Sequence, residues 1–86
     1  MRFAVEVLVT LKTGLADPQG KAVEGALPAL GWTNVSGVRV GKHVRLEVEA
    51  GSESEARTQV EEMSGRLLSN PVIEEFRILE TEGRAR

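Results

Sequence analysis

The sequence predicts an α+β domain of order βαββαβ: a four-stranded antiparallel sheet with two helices on one face. Three observations point there. Residues 2–11, 35–49 and 72–79 alternate apolar with polar side chains, the period of a half-buried strand. Residues 18–30 and the stretch from Ser52 to Leu67 repeat apolar residues at helical spacing. Each helical stretch opens on a capping signal, Asp17-Pro18 in one and Ser52 in the other.

The first strand places Phe3, Val5, Val7, Val9 and Leu11 on one face. Arg2, Ala4, Glu6, Leu8 and Thr10 lie on the other, where Ala4 and Leu8 leave some apolar surface. The connection from Thr10 to Gly31 organises the rest. It turns at Gly14 and restarts as a helix, with Asp17 as N-cap and Pro18 at the first helical position. Val23, Leu27 and Leu30 form the expected inner stripe, with Lys21 and Glu24 on the wet side. Pro28 removes a helical bond and should kink the last turns. Gly20 and Gly25 weaken the helix by roughly 1 kcal/mol each relative to alanine. Gly31 ends it, and Trp32 is expected to seal one end of the core.

Val38 and Val40, then Val44, Leu46 and Val48, alternate on either side of Gly41-Lys42. A Gly-X pair between alternating runs signals a two-residue hairpin, with glycine supplying a positive φ. Arg39, Arg45, Glu47 and Glu49 would then pair across strands on the other face. Ser52 and Glu55 have capping-box spacing, and Ala56, Val60, Met63 and Leu67 form the second helical stripe. Glu62 and Arg66 make a favourable i,i+4 pair. Asn70-Pro71 breaks the helix, and Val72 to Leu79 form the last strand with Phe76 and Ile78 inward. Right-handed crossovers make this arrangement ferredoxin-like, with the first and third strands central. One domain over residues 1–80 and a flexible tail over residues 81–86 complete the expectation.

Composition excludes several functions. Eighty-six residues make one domain. No cysteine is present, so disulfide and thiolate chemistry are absent. A single histidine, His43, cannot build a multi-histidine metal site within one chain. A net charge of −2 argues against general nucleic-acid binding. No apolar run reaches the ~18–20 residues of a membrane span, and no signal-peptide core is evident. The expected location is the cytoplasm. Glu61-Glu62 and Glu74-Glu75 are adjacent carboxylates that do not face one another, so neither forms an acid/base dyad. Asp17 puts negative charge where a phosphate would sit on the first helix. A non-catalytic binding or assembly module remains, with an ACT-like small-molecule regulatory domain as the alternative.

Three segments carry a family likeness. They are Leu15-Ala16-Asp17-Pro18-Gln19-Gly20 with Ala22-Val23, then Val38-Arg39-Val40-Gly41-Lys42, then Leu67-Leu68-Ser69-Asn70-Pro71-Val72-Ile73-Glu74. In order and spacing the chain closely resembles the PurS family, the small subunit of phosphoribosylformylglycinamidine synthase, from Phe3 to about Glu80. It departs from the family at Pro28. The resemblance implies an assembly subunit of purine biosynthesis without catalytic residues. It would bridge a large synthetase subunit, PurL, and a glutaminase subunit, PurQ, and assist ammonia transfer. ATP, Mg and glutamine would be used by those partners, and this chain would bind no cofactor. The candidate partner interface is Asp17, Pro18, Gln19, Gly20, Arg39, Gly41, Lys42, Asn70 and Pro71. Apolar residues left on the sheet's outer face and open edge strands suggest a homodimer or dimer of dimers.

Overall fold

Alternation in residues 2–11 produces the middle strand of the sheet. The computed structural model describes residues 1–84. Strand β1 spans Arg2–Leu11, and its Phe3, Val5, Val7 and Val9 are buried at the centre of the core. β2 (Gly41–Glu49) and β3 (Glu74–Arg84) flank it, both antiparallel, in the order β2-β1-β3. Val5 lies opposite Leu46, Val7 opposite Val44 and Ile78, and Val9 opposite Phe76. The apolar alternation of all three strands therefore meets on one face.

The sheet has three strands among the described residues, not the expected four. The Gly41-Lys42 hairpin does not form. Residues 35–40 are irregular and run straight on into β2 at Gly41. The reason is a competing set of acceptors. The N–H of Val38 donates to Glu24 Oε1 at 3.0 Å, and the N–H of Val40 donates to Asp17 Oδ2 at 2.7 Å. The segment is tied to the first helix instead of folding back on β2. Positive φ occurs at Gly14, Gly31 and Gly37, and Gly41 is not among them. The charges expected to pair across that hairpin find other neighbours: Arg2 donates to Glu47 at 3.1 Å.

Helix α1 (Pro18–Ala26) starts where Asp17 and Pro18 place it. Pro28 then breaks the α-pattern into a 3-10 turn, Pro28–Leu30, which ends at Gly31 with φ of 105°. The expected stripe stays largely uncovered: Val23 is 46% and Leu30 69% exposed, and Trp32 is exposed rather than sealing the core. Helix α2 (Glu53–Met63) begins at Ser52, whose Oγ accepts from the N–H of Glu55 at 3.1 Å. It packs on β1 and β3; no comparable packing joins α1 to the sheet. Thus only one of the two helices covers the sheet's inner face.

α2 continues as a π turn over Ser64–Leu68, closed by the Ser69 N–H on the Ser64 carbonyl at 2.9 Å. That widened turn rotates the stripe. Ala56, Val60 and Ser64 are buried, whereas Leu67 is 82% exposed. The tail expected over residues 81–86 is strand as far as Arg84, with Thr81 opposite Val5 and Gly83 opposite Phe3. Residues 85 and 86 lie outside the described residues.

The result is long and flat, 50 × 28 × 14 Å, with a radius of gyration of 16.5 Å. A compact domain of this length would measure about 12 Å. Its accessible surface is 5985 Å², against about 5,000 Å² for a folded monomer of this mass.

Candidate functional site

All nine sequence-derived interface residues gather at one end of the sheet. β1 leaves the sheet there after Leu11, β2 enters opposite Thr10, and β3 enters opposite Leu11. The β1–α1 loop, residues 35–40 and the turn after α2 converge on that end.

Asp17 is its centre. One carboxylate oxygen accepts from the N–H of Gly20 at 2.8 Å, the N-cap bond that the sequence predicts. The other accepts from Val40, which sequence reasoning missed. The side chain is only 4% exposed, and the Arg39 Nε stands 4.0 Å away. The N–H of Val40, then that of Gly20, hold the carboxyl below its ordinary pKa; burial opposes them, and Arg39 and the N–H of Gln19 assist. Asp17 is thus an anion fixed inside the loop cluster.

Pro18 and Gln19 open α1, and their exposed positions face solvent at this end. Gly20 is buried under Val38: a Cβ there would fall 2.2 Å from the Val38 carbonyl oxygen. Its role is close backbone approach. Gly25, the other glycine of α1, has open space where a Cβ would go.

Arg39 reaches inward. Its guanidinium donates to the Leu15 carbonyl at 2.8 Å and to that of Lys12 at 3.4 Å. Gly41 lies tight against β1, where a Cβ would meet the Val9 carbonyl oxygen at 2.7 Å and Thr10 Cγ2 at 2.8 Å. Space, not a positive φ, demands glycine there. Lys42 is exposed beside it.

Asn70 and Pro71 join through Lys12. The Lys12 N–H donates to the Ile73 carbonyl at 2.9 Å while its own carbonyl accepts from Arg39. Asn70 builds the turn: its Oδ1 accepts from Val72 at 3.1 Å and its N–H donates to Glu74 at 2.7 Å. The hydrogen bonds of Asn70 run to Val72, Ile73 and Glu74 within its own turn. A shallow cleft of about 490 Å³ lies between the β1–α1 loop and residues 37–39, bordered by Asp17, Lys21, Glu24 and Arg39.

Two contributors were missed, Glu24 and Lys12. Glu24 follows Asp17 by seven residues and so lies on the same helix face. Its carboxylate reaches Val38 as Asp17 reaches Val40. That spacing was legible. The role of Lys12 is carried by its backbone, which no side-chain pattern reveals.

These features define a small, flat α+β protein: loops tied together at one end of a three-stranded sheet whose outer strands are β2 and β3. Comparison with known proteins makes it specific. The family model PurS, phosphoribosylformylglycinamidine (FGAM) synthase, matches residues 4–82. The chain is 43% identical over 74 residues to the PurS subunit of Synechocystis, covering 86% of this chain and 74% of that one. It is 42% identical over 74 residues to that of Archaeoglobus fulgidus, covering 86% and 92%. Thermus thermophilus PurS superimposes with a TM-score of 0.86 at 39% identity, covering 99% of this chain and 100% of that one. A chain in the structure of PurLQS from Thermotoga maritima superimposes with a TM-score of 0.86 at 32% identity, covering 93% and 98%. The chain belongs to the PurS family, the phosphoribosylformylglycinamidine synthase subunit of purine biosynthesis.

Proposed function

We propose that this chain is the assembly subunit of a three-part synthase, bridging a large synthetase and a glutaminase and assisting ammonia transfer between them. The supporting observation is its likeness over 93% of its length to a chain of the Thermotoga maritima PurLQS structure. ATP, Mg and glutamine belong to the partner subunits in this reading, and the chain works in the cytoplasm. No helix among the described residues is long and apolar enough to cross a membrane. The loop cluster around Asp17, Arg39, Gly41, Lys42 and Asn70-Pro71 is the docking end.

The chain also acts as a homodimer or dimer of dimers. Roughly 1,000 Å² of surface beyond that of a compact monomer is comparable to the ~800 Å² each partner contributes to a standard interface. The experiment is reconstitution. The purified chain alone should show no ATPase, glutaminase or amidotransferase turnover. Added to the two larger subunits, it should raise glutamine-dependent product formation and co-purify with both. Unchanged product formation, with no co-purification, would refute the assembly role.

A further inference from the structure

The chain returns from α1 to the sheet through a segment with no ties in its middle. Among the described residues, Thr33 to Gly37 neither donate nor accept a hydrogen bond. The sheet is fixed on either side of this excursion. The Lys12 N–H donates to the Ile73 carbonyl at 2.9 Å, and β2 begins at Gly41. Between these points lie α1 and its 3-10 turn, which lack the packing that holds α2 to β1 and β3. The buried core draws its side chains from β1, β2 and α2, and none from residues 15–36.

Two glycines stand where the excursion leaves and rejoins. Gly14 has a φ of 91° and Gly37 a φ of 72°, and a Cβ at either would meet open space. Their dihedrals can change with nothing packed against them, as a hinge requires. Gly31 differs, because its N–H closes on the Pro28 carbonyl at 3.0 Å and keeps α1 and the 3-10 turn in one piece.

The contacts that hold the excursion down are polar, and three of them end on Val38-Arg39-Val40. Arg39 Nη1 donates to the Leu15 carbonyl at 2.8 Å. The N–H of Val40 donates to Asp17 at 2.7 Å, and that of Val38 to Glu24 at 3.0 Å. Beside Gly14, the Leu15 N–H closes its turn on the Lys12 carbonyl at 3.1 Å. The cleft of about 490 Å³ runs along the same seam, with Asp17, Lys21 and Glu24 on one side and Val38 and Arg39 on the other. Water can replace each of these bonds at small net cost. Parting the seam leaves the apolar core covered.

We infer that residues 15–36 form a hinged arm, latched to the sheet through Leu15, Asp17 and Glu24 and swinging about Gly14 and Gly37. The latch opens as a unit, because its three bonds share the short segment Val38-Arg39-Val40. Opening widens the cleft and redirects the exposed apolar residues Val23 and Leu30, while the sheet and α2 keep their packing. Such local openings lie well below global unfolding where apolar contacts are few. The swing belongs to the free chain and needs no partner subunit.

Hydrogen exchange under native conditions reads the latch. The Val38 and Val40 amides should exchange together, about a hundredfold or more faster than those of Val5 and Val7, with rates insensitive to low urea. A distance measurement separates a swing of α1 from fraying at two amides. The chain has no cysteine, so Ala22→Cys with Arg57→Cys carries one spin label on α1 and one on α2. Excess unlabelled chain limits the signal to distances within one copy. The parent should show two separations, and Lys42→Cys with Arg57→Cys, both outside the arm, should show one. Glu24→Ala combined with Arg39→Ala should raise the share of the second Ala22–Arg57 separation several-fold. Glu24→Gln, whose amide oxygen still accepts from Val38, should keep the parent ratio. A single Ala22–Arg57 separation, unchanged in the double alanine variant, would overturn the hinge whatever the amide rates. Val38 and Val40 amides that exchange only along with Val5 and Val7 would overturn it too, since no swing leaves those bonds closed.

Discussion

The carboxylate of Asp17 and the backbone N–H of Val40, 23 residues apart, meet at 2.7 Å. The same carboxylate caps α1 through Gly20 at 2.8 Å. One side chain therefore starts the helix and sets where the chain enters β2.

Acid should loosen this junction. The folded carboxyl sits below the ordinary value of 3.8, so the unfolded chain binds the proton more readily. Its stabilising effect is complete above the unfolded pKa and is lost as pH falls through the folded value. Melting temperature measured from pH 6 down to pH 2 should drop in that acid range. Asp17→Asn should start lower and lose part of that slope. An identical slope in both proteins would show that Asp17 is not the group responsible.

The two glycines of α1 should respond oppositely to alanine. Gly25→Ala should stabilise by roughly 0.5–1 kcal/mol, the ordinary helix preference. Gly20→Ala drives a Cβ onto the Val38 carbonyl, and α1 or residues 37–40 must move. Its melting temperature should fall by several degrees. Equal effects at both sites would contradict the close approach.

Ser64 has a buried hydroxyl with no hydrogen-bond partner. An unpaired buried polar group costs about 1–3 kcal/mol. Ser64→Ala removes it with little change in volume, so urea unfolding should give equal or higher stability. A loss above about 1 kcal/mol would show that the hydroxyl has a partner, such as a bound water.

Arg39 and Lys42 should separate. Arg39 holds the Leu15 and Lys12 carbonyls, so Arg39→Ala should reduce stability by about 1 kcal/mol. Lys42→Ala should change it by less than about 0.5 kcal/mol. If Lys42 docks on an acidic partner surface, its loss should slow association with the larger subunits most at low salt. Unchanged binding at low and high salt would assign Lys42 to ordinary solvated surface.

Much of this was readable beforehand. Asp17-Pro18 and Ser52 fixed the helix starts because caps act within a few residues, whereas α1 ends at Ala26 and Gly31 closes only the 3-10 turn after it. The alternation of β1 fixed the core face for the same local reason. The fourth strand failed because Val38-Arg39-Val40 alternates just as Val44, Leu46 and Val48 do beyond Gly41-Lys42. Whether that segment pairs with β2 depends on which acceptors reach its N–H groups, and Asp17 and Glu24 lie far away in sequence. The inner stripe of α1 was legible as apolar; its exposure was not, because periodicity does not say which surface a helix faces. Leu67 was misplaced by a turn whose extra residue leaves no mark in hydrophobic spacing. The nine candidate residues were brought to one end of the sheet, yet the backbone of Lys12 that links them carries no sequence signature.

The π turn has a consequence for chain length. Its bond from Ser69 to the Ser64 carbonyl encloses one residue more than an α-turn requires. A one-residue deletion within residues 65–68 could close there as an ordinary helical turn, with Asn70 still leading into β3. Family members one residue shorter at this point would keep both flanks in place and differ chiefly in the direction of the side chain that corresponds to Leu67.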